Sequence, residues 1–256
     1  MKHILYFRKI IITFTISVIF LLSICACTQN EGGKSTESLS IGSPDEAATP
    51  VSSEKLPEYT ESDTPANLAA LNSYKAVLLG NAGFLETSIM KTLNINQLNQ
   101  AVSSDSTVNV EATRFAVMDL DNDGVMDVIL WLSVNGLDDY GTEILHYQNG
   151  VVYGYVMWFR AFNQLKTDRT FSFSSGAMDN GFGTIAFTDK SYSINKITYS
   201  QSSYDSNNNL TVTFFVNNKE ATQNEFDSAI QNQSEKPDAA WYDLTEDNIE
   251  SVLNAL

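Results

Sequence analysis

The stretch Arg114–Ser133, RFAVMDLDNDGVMDVILWLS, decides the fold of this chain. Its left end alternates: Phe115 and Val117 are separated by a small residue, the period of a half-buried strand. Its right end, Val128–Leu132, is almost continuously apolar, as in a strand covered on both faces. Between them Asp119, Asp121, Asp123, Gly124 and Asp127 spell D-x-D-x-D-G-x-x-D. Carboxylates two residues apart make a poor core, because buried charges need partners. They can instead wrap a hard cation in oxygen, with the glycine permitting the sharp turn this requires. The segment predicts strand, acidic turn, strand.

On the N-terminal side, Leu68, Leu71, Lys75 and Leu78 recur at helical spacing. They predict a helix over Ala66–Leu79, stopped by Gly80. Asn81–Asp105 fits either a short helix carrying Ile89, Leu93 and Leu98 or an irregular segment. On the C-terminal side, Glu143–Gln148 and Val151–Phe162 flank Asn149-Gly150, a strong hairpin signal because both residues tolerate positive φ. Further strands are expected at Thr170–Ser174, Gly183–Phe187, Tyr192–Tyr199 and Leu210–Val216, the last two joined by the Asn207–Asn209 turn. Thr222-x-x-Glu225 is a capping box for a helix reaching about Gln233. Pro237 marks a break, and Thr245 caps a final helix with Leu244 and Ile249 as its staple. Ile249, Val252, Leu253 and Leu256 form its apolar stripe. The order implies an α+β fold, mainly antiparallel sheet, with an N-terminal helix and two C-terminal helices.

The chain begins with Lys2, Arg8 and Lys9, then an uncharged apolar run over Ile10–Ala26. These 17 residues fall short of the roughly 20 needed to span a bilayer, so residues 1–26 read as a signal peptide. The run ends Ile24-Cys25-Ala26-Cys27, which resembles the lipobox of bacterial lipoproteins. That resemblance implies cleavage before Cys27 and a diacylglycerol and palmitate anchor there. An ordinary cleaved signal, or an uncleaved anchor, is the plainer alternative. Residues 27–64, rich in Ser, Thr, Glu, Gly and Pro, read as a disordered tether, and residues 65–256 as one domain. Cleavage leaves a single cysteine, which excludes an internal disulfide and a cysteine-rich zinc site. The signal holds three of the 15 basic residues and none of the 31 acidic ones, so 12 face 31 in the mature chain, a net charge of −19. Such a surface repels nucleic acid.

Numbered from Asp119, the acidic turn matches the first nine positions of an EF-hand loop, with Val125 at the carbonyl position and Asp127 at the ninth. It then departs: Leu130 stands where a bidentate glutamate belongs, and the flanks are strands. The turn resembles those of FG-GAP and VCBS-type β-modules. The blocks FAVMDLDNDGVMDVIL, EILHYQNGVVYGYVM and FSFSSGAMDNGFGTIAF resemble uncharacterised lipoproteins of low-GC Gram-positive bacteria. The resemblance implies a structural Ca²⁺ held by Asp119, Asp121, Asp123, Val125 and Asp127, and it carries no activity.

Other residues are weaker pointers. His146 is the one histidine left after cleavage and fits a plain sheet position better than a catalytic one. Asp138, Asp139, Glu143 and Asp179 are carboxylates that a glycosidase-like mechanism could use. Asp138 or Asp139 is expected in a loop near the acidic turn. Tyr153, Tyr155, Trp158, Phe159 and Phe162 serve either as core or as a sugar-stacking platform. The Ser174–Gly183 segment is a candidate binding loop. The expected protein is a lipid-anchored module on the outer face of the cell membrane. It binds an unknown envelope or extracellular ligand, is stabilised by one calcium ion and performs no catalysis. The alternatives are a carboxylate-using envelope hydrolase or a solute-binding lipoprotein of a transporter.

Overall fold

A computed structural model describes residues 64–256, apart from residue 189 and the side chains of residues 138 and 139. The signal peptide, Cys27 and the tether lie outside the described residues. The strands are β1 (Phe84–Glu86), β2 (Lys91–Leu93), β3 (Val110–Met118), β4 (Asp127–Val134), β5 (Leu137–Gln148), β6 (Val151–Trp158), β7 (Phe171–Ser174), β8 (Asn180–Thr188), β9 (Ser191–Tyr204), β10 (Leu210–Val216), β11 (Lys219–Ala221) and β12 (Tyr242–Asp243). The helices are α1 (Pro65–Leu78), α2 (Asn99–Val102), α3 (Gln223–Ser234) and α4 (Glu246–Leu253). The α+β reading holds, with a refinement: the strands form two sheets.

One sheet has seven strands in the order β12-β3-β4-β5-β6-β1-β2; the other has five, β11-β10-β9-β8-β7. All pairings are antiparallel except β1 with β6. Strand β4 lies inside the seven-stranded sheet, and its two faces enter different cores, as its apolar run predicts. Val128, Leu130 and Leu132 pack with Leu71, Val77, Ile249 and Leu253 under α1 and α4. Ile129 packs on the other side with Phe171, Phe173 and Ile185 of the second sheet. Helix α3 covers the second sheet's outer face through Phe226 against Phe214. The adjacent residue, Phe215, stacks on Tyr199 on the opposite face, consistent with strand alternation.

The helix signals worked through the chemistry expected of them. Thr222 accepts from Glu225 N–H while Glu225 reaches back to Thr222 N–H, completing the capping box of α3. Thr245 caps α4 by accepting from Asn248 N–H, and Ile249 and Leu253 are buried. Helix α1 ends at Gly80, whose φ is +74°. Its buried stripe, however, is Asn67, Ala70, Leu71, Tyr74, Val77 and Leu78, while Leu68 is half exposed. Alanines at positions 69, 70 and 76 left the phase of this helix poorly determined from sequence. The ambiguous segment after α1 resolves into the β1–β2 hairpin, a short 3₁₀ turn and α2.

Asn149 and Gly150, at φ 52° and 84°, join β5 to β6 as predicted. An equivalent turn, Asn135-Gly136 at 51° and 78°, joins β4 to β5. It extends β5 back to Leu137, so Asp138 and Asp139 lie in that strand at the end of β4 remote from the acidic turn. This corrects their expected placement in a loop beside the turn.

Candidate metal centre

The acidic turn connects β3 to β4 and is built by its own backbone. Asp119 accepts two N–H groups, from Asp123 (3.1 Å) and Gly124 (3.0 Å). Asp123 accepts the N–H of Val125 at 2.8 Å. Asn122 and Gly124 adopt φ of 67° and 84°, left-handed values that Asn and Gly tolerate best. From outside, Asn67 of α1 accepts the N–H of Met126 at 2.9 Å, and Arg169 hydrogen-bonds Asn122.

Asp127 closes the turn and opens β4. It is fully buried, with Oδ2 accepting Leu120 N–H at 2.9 Å and Oδ1 lying 2.8 Å from His146 Nδ1. The imidazole stacks on Phe187 of the second sheet, with ring centroids 4.5 Å apart, and is 2% exposed. Burial pushes the Asp127 carboxyl up to about 7, against the opposing pull of His146. Burial alone would lower His146, but the hydrogen bond and charge of Asp127, then Asp121 and Asp123, outweigh it and leave the imidazole raised. Burial and then the charge of Asp123 raise Asp121. These shifts share a physical origin: negative charge is gathered where little water reaches it.

Two overlapping sets of side chains bring ligand atoms within 4.8 Å of one another: Asp119, Asp121 and Asp127, and Asp121, Asp123 and His146. Asp121 is common to both. Its Oδ1 is buried and has no hydrogen-bond partner. A buried acceptor without a donor is costly, and a cation would satisfy it while relieving the repulsion among its neighbours. The four predicted carboxylates therefore fall into metal-competent sets. Val125, expected to lend its carbonyl, is tied to the turn by the N–H it gives Asp123. Asp127 already serves two protein groups, and each of its oxygens keeps a second lone pair.

Two contributors had no local sequence signal. His146 is 19 residues from Asp127 in sequence and meets it only through the register that sets Val128 opposite Leu145. Asn67 is 59 residues from Met126 and reads in sequence as part of a helix first turn.

The other candidate groups do not converge on an open cleft. Glu143 is fully buried beside Glu86. Asp179 accepts both the N–H (2.7 Å) and the hydroxyl (2.6 Å) of Ser202, which ties the β7–β8 turn of the Ser174–Gly183 segment to β9. Tyr155 and Phe162 are core residues, while Trp158 and Phe159 are exposed, so the five aromatics do not form one platform. No described Ser or Thr hydroxyl bonds to His146. No described helix is long and apolar enough to cross a membrane. Compared with family models, curated proteins and solved structures, the chain matches none.

Proposed function

We propose that this protein is a lipid-anchored module on the outer face of the cell membrane, held rigid by one divalent cation and working by binding an envelope or extracellular partner. The observation that carries the metal reading is the convergence of Asp119, Asp121 and Asp127 within 4.8 Å, with the buried Asp121 Oδ1 lacking a donor. The all-oxygen set favours Ca²⁺. Mg²⁺ requires a smaller, near-ideal octahedron and keeps its own waters. Asp119, Asp121 and Asp127 would hold the ion, with Asp123 on the exposed side of the turn. When bound, the ion supplies positive charge that lets these carboxylates stay ionised together.

The anchor rests on the Cys27 sequence and the tether between it and the domain. The acidic surface favours a partner other than nucleic acid. Calorimetric titration of the mature protein with Ca²⁺ tests the metal reading, with a dissociation constant near 10⁻⁴–10⁻³ M expected for an extracellular module. Absence of binding heat at millimolar Ca²⁺, in protein freed of metal by chelator, would remove it. Labelled palmitate entering the wild-type chain but not the Cys27→Ala chain tests the anchor separately.

A further inference from the structure

Glu86 and Glu143 are both fully buried, on neighbouring parts of the seven-stranded sheet. Glu86 ends β1, which meets β6 through only two register pairs, Leu85 with Tyr153 and Glu86 with Gly154. Gly154 pairs in turn with Leu145, two residues along β5 from Glu143 and on the same face. A Cβ on Gly154 would stand 2.4 Å from Glu143 Oε1 and 2.5 Å from the Phe84 ring. The bare glycine thus makes the hollow in which the two carboxyl groups meet.

Their hydrogen bonds do not close with protein donors alone. Glu86 Oε1 accepts the N–H of Ser88 at 3.0 Å. Glu86 Oε2 and both oxygens of Glu143 have no protein donor. Opposite Glu143 stand Leu130 of β4 and Val156 of β6, both apolar. Lys91 of β2 is the cross-strand partner of Glu86, but its ammonium hydrogen-bonds Gln100. On α1, Lys75 is paired with Glu250, and Tyr74 feels the acids of the Asp127 region. Helix α2 carries no ionisable residue.

Three buried oxygens without protein donors need a proton, a metal ion or an ordered water, and water alone would leave two negative charges side by side in the core. Ca²⁺ takes six to eight oxygens, and a metal here would find three free. A proton needs only two. We propose that Glu86 and Glu143 share one proton in the native state, and that this proton clasps the β1–β2 hairpin to the edge of the seven-stranded sheet and is lost in alkali. Burial, then the neighbouring charge of Glu86, hold Glu143 well above the usual carboxylate range. The sign follows directly. Above the unfolded carboxyl pKa the native state holds the extra proton, so stability is complete below that value and falls as pH rises through the folded one.

Hydrogen exchange of residues 84–93 tests the clasp, with and without chelator, alongside the infrared band of a protonated buried carboxyl. In wild type the band is expected at neutral pH. The protection factor of the hairpin should fall by up to tenfold per pH unit between the unfolded and the folded pKa, the dependence for one proton held only by the native state, and level off above the folded one. Glu143→Gln, which replaces the shared proton with a permanent donor, should reduce the band to what the buried Asp127 carboxyl contributes and flatten the dependence. Glu86→Gln should do the same if the first variant folds poorly. No band in wild type, or equal pH dependence in wild type and both variants, would overturn the proposal. So would hairpin protection that tracks chelator or added cation instead of pH.

Discussion

Asn67→Ala tests whether α1 truly holds the acidic turn. The side chain is fully buried and accepts the N–H of Met126 at 2.9 Å. Removing it strands a part-buried backbone donor, at a cost of about 1–3 kcal/mol. Alanine returns at most about 0.7 kcal/mol, because it is the better helix former. The loss therefore wins, with net destabilisation of about 1–2 kcal/mol. For a domain of this size that lowers the melting temperature by about 2–8 °C. The assay is thermal unfolding in chelator, followed by circular dichroism. A calcium titration of the same variant should show weakened affinity, because the turn loses its outer support. A melting temperature in chelator equal to wild type would refute the reasoning, since Met126 would then have been satisfied without Asn67.

Gly154→Ala should destabilise by about 1–3 kcal/mol through overpacking, because the new methyl falls within 2.5 Å of Glu143 Oε1 and the Phe84 ring. Chemical denaturation measures it, and Phe84→Leu in the same chain should restore part of the loss. Lys166→Met should cost about 1.5–3 kcal/mol. The buried ammonium donates to the carbonyls of Ser234 and Lys236, both at 3.0 Å, and to Asp238 at 2.7 Å, tying down the end of α3. Faster hydrogen exchange across residues 231–239, with α1 unchanged, is the accompanying signature, and uniform acceleration would contradict it.

The parts of the fold written in local chemistry were legible in the sequence. The capping residues Thr222 and Thr245 and the Asn149-Gly150 turn each act through neighbours a few residues away, and the apolar run of β4 signalled a strand covered on both faces without naming what covers it. The division into two sheets was not legible, because it depends on which strands pair across long separations. Strand β1 is the clearest case. Three residues, FLE, carry no strand period of their own, and they join the sheet through β6, more than 60 residues later. The acidic turn was legible as ligand chemistry from its spacing alone. Its supports were not, since Asn67, His146 and Phe187 come from three other elements and converge only in the folded chain. Glu86 was not picked out, since it lies in an ambiguous segment, and Glu143 stood out only as one of four candidate carboxylates, because their pairing depends on contacts across the sheet.

The central claim is that the Asp119–Asp127 turn is a metal staple. Melting of wild type and Asp121→Asn, each in chelator and in Ca²⁺ at ten times the dissociation constant, tests it most directly. Binding at that excess contributes about 1.4 kcal/mol, so the wild-type melting temperature should rise by about 3–6 °C. Asp121→Asn should melt at or above wild type in chelator, because it removes a repelled, partly buried charge, and it should fail to respond to calcium. Identical wild-type curves in chelator and calcium, or an equal calcium response in the variant, would contradict the claim.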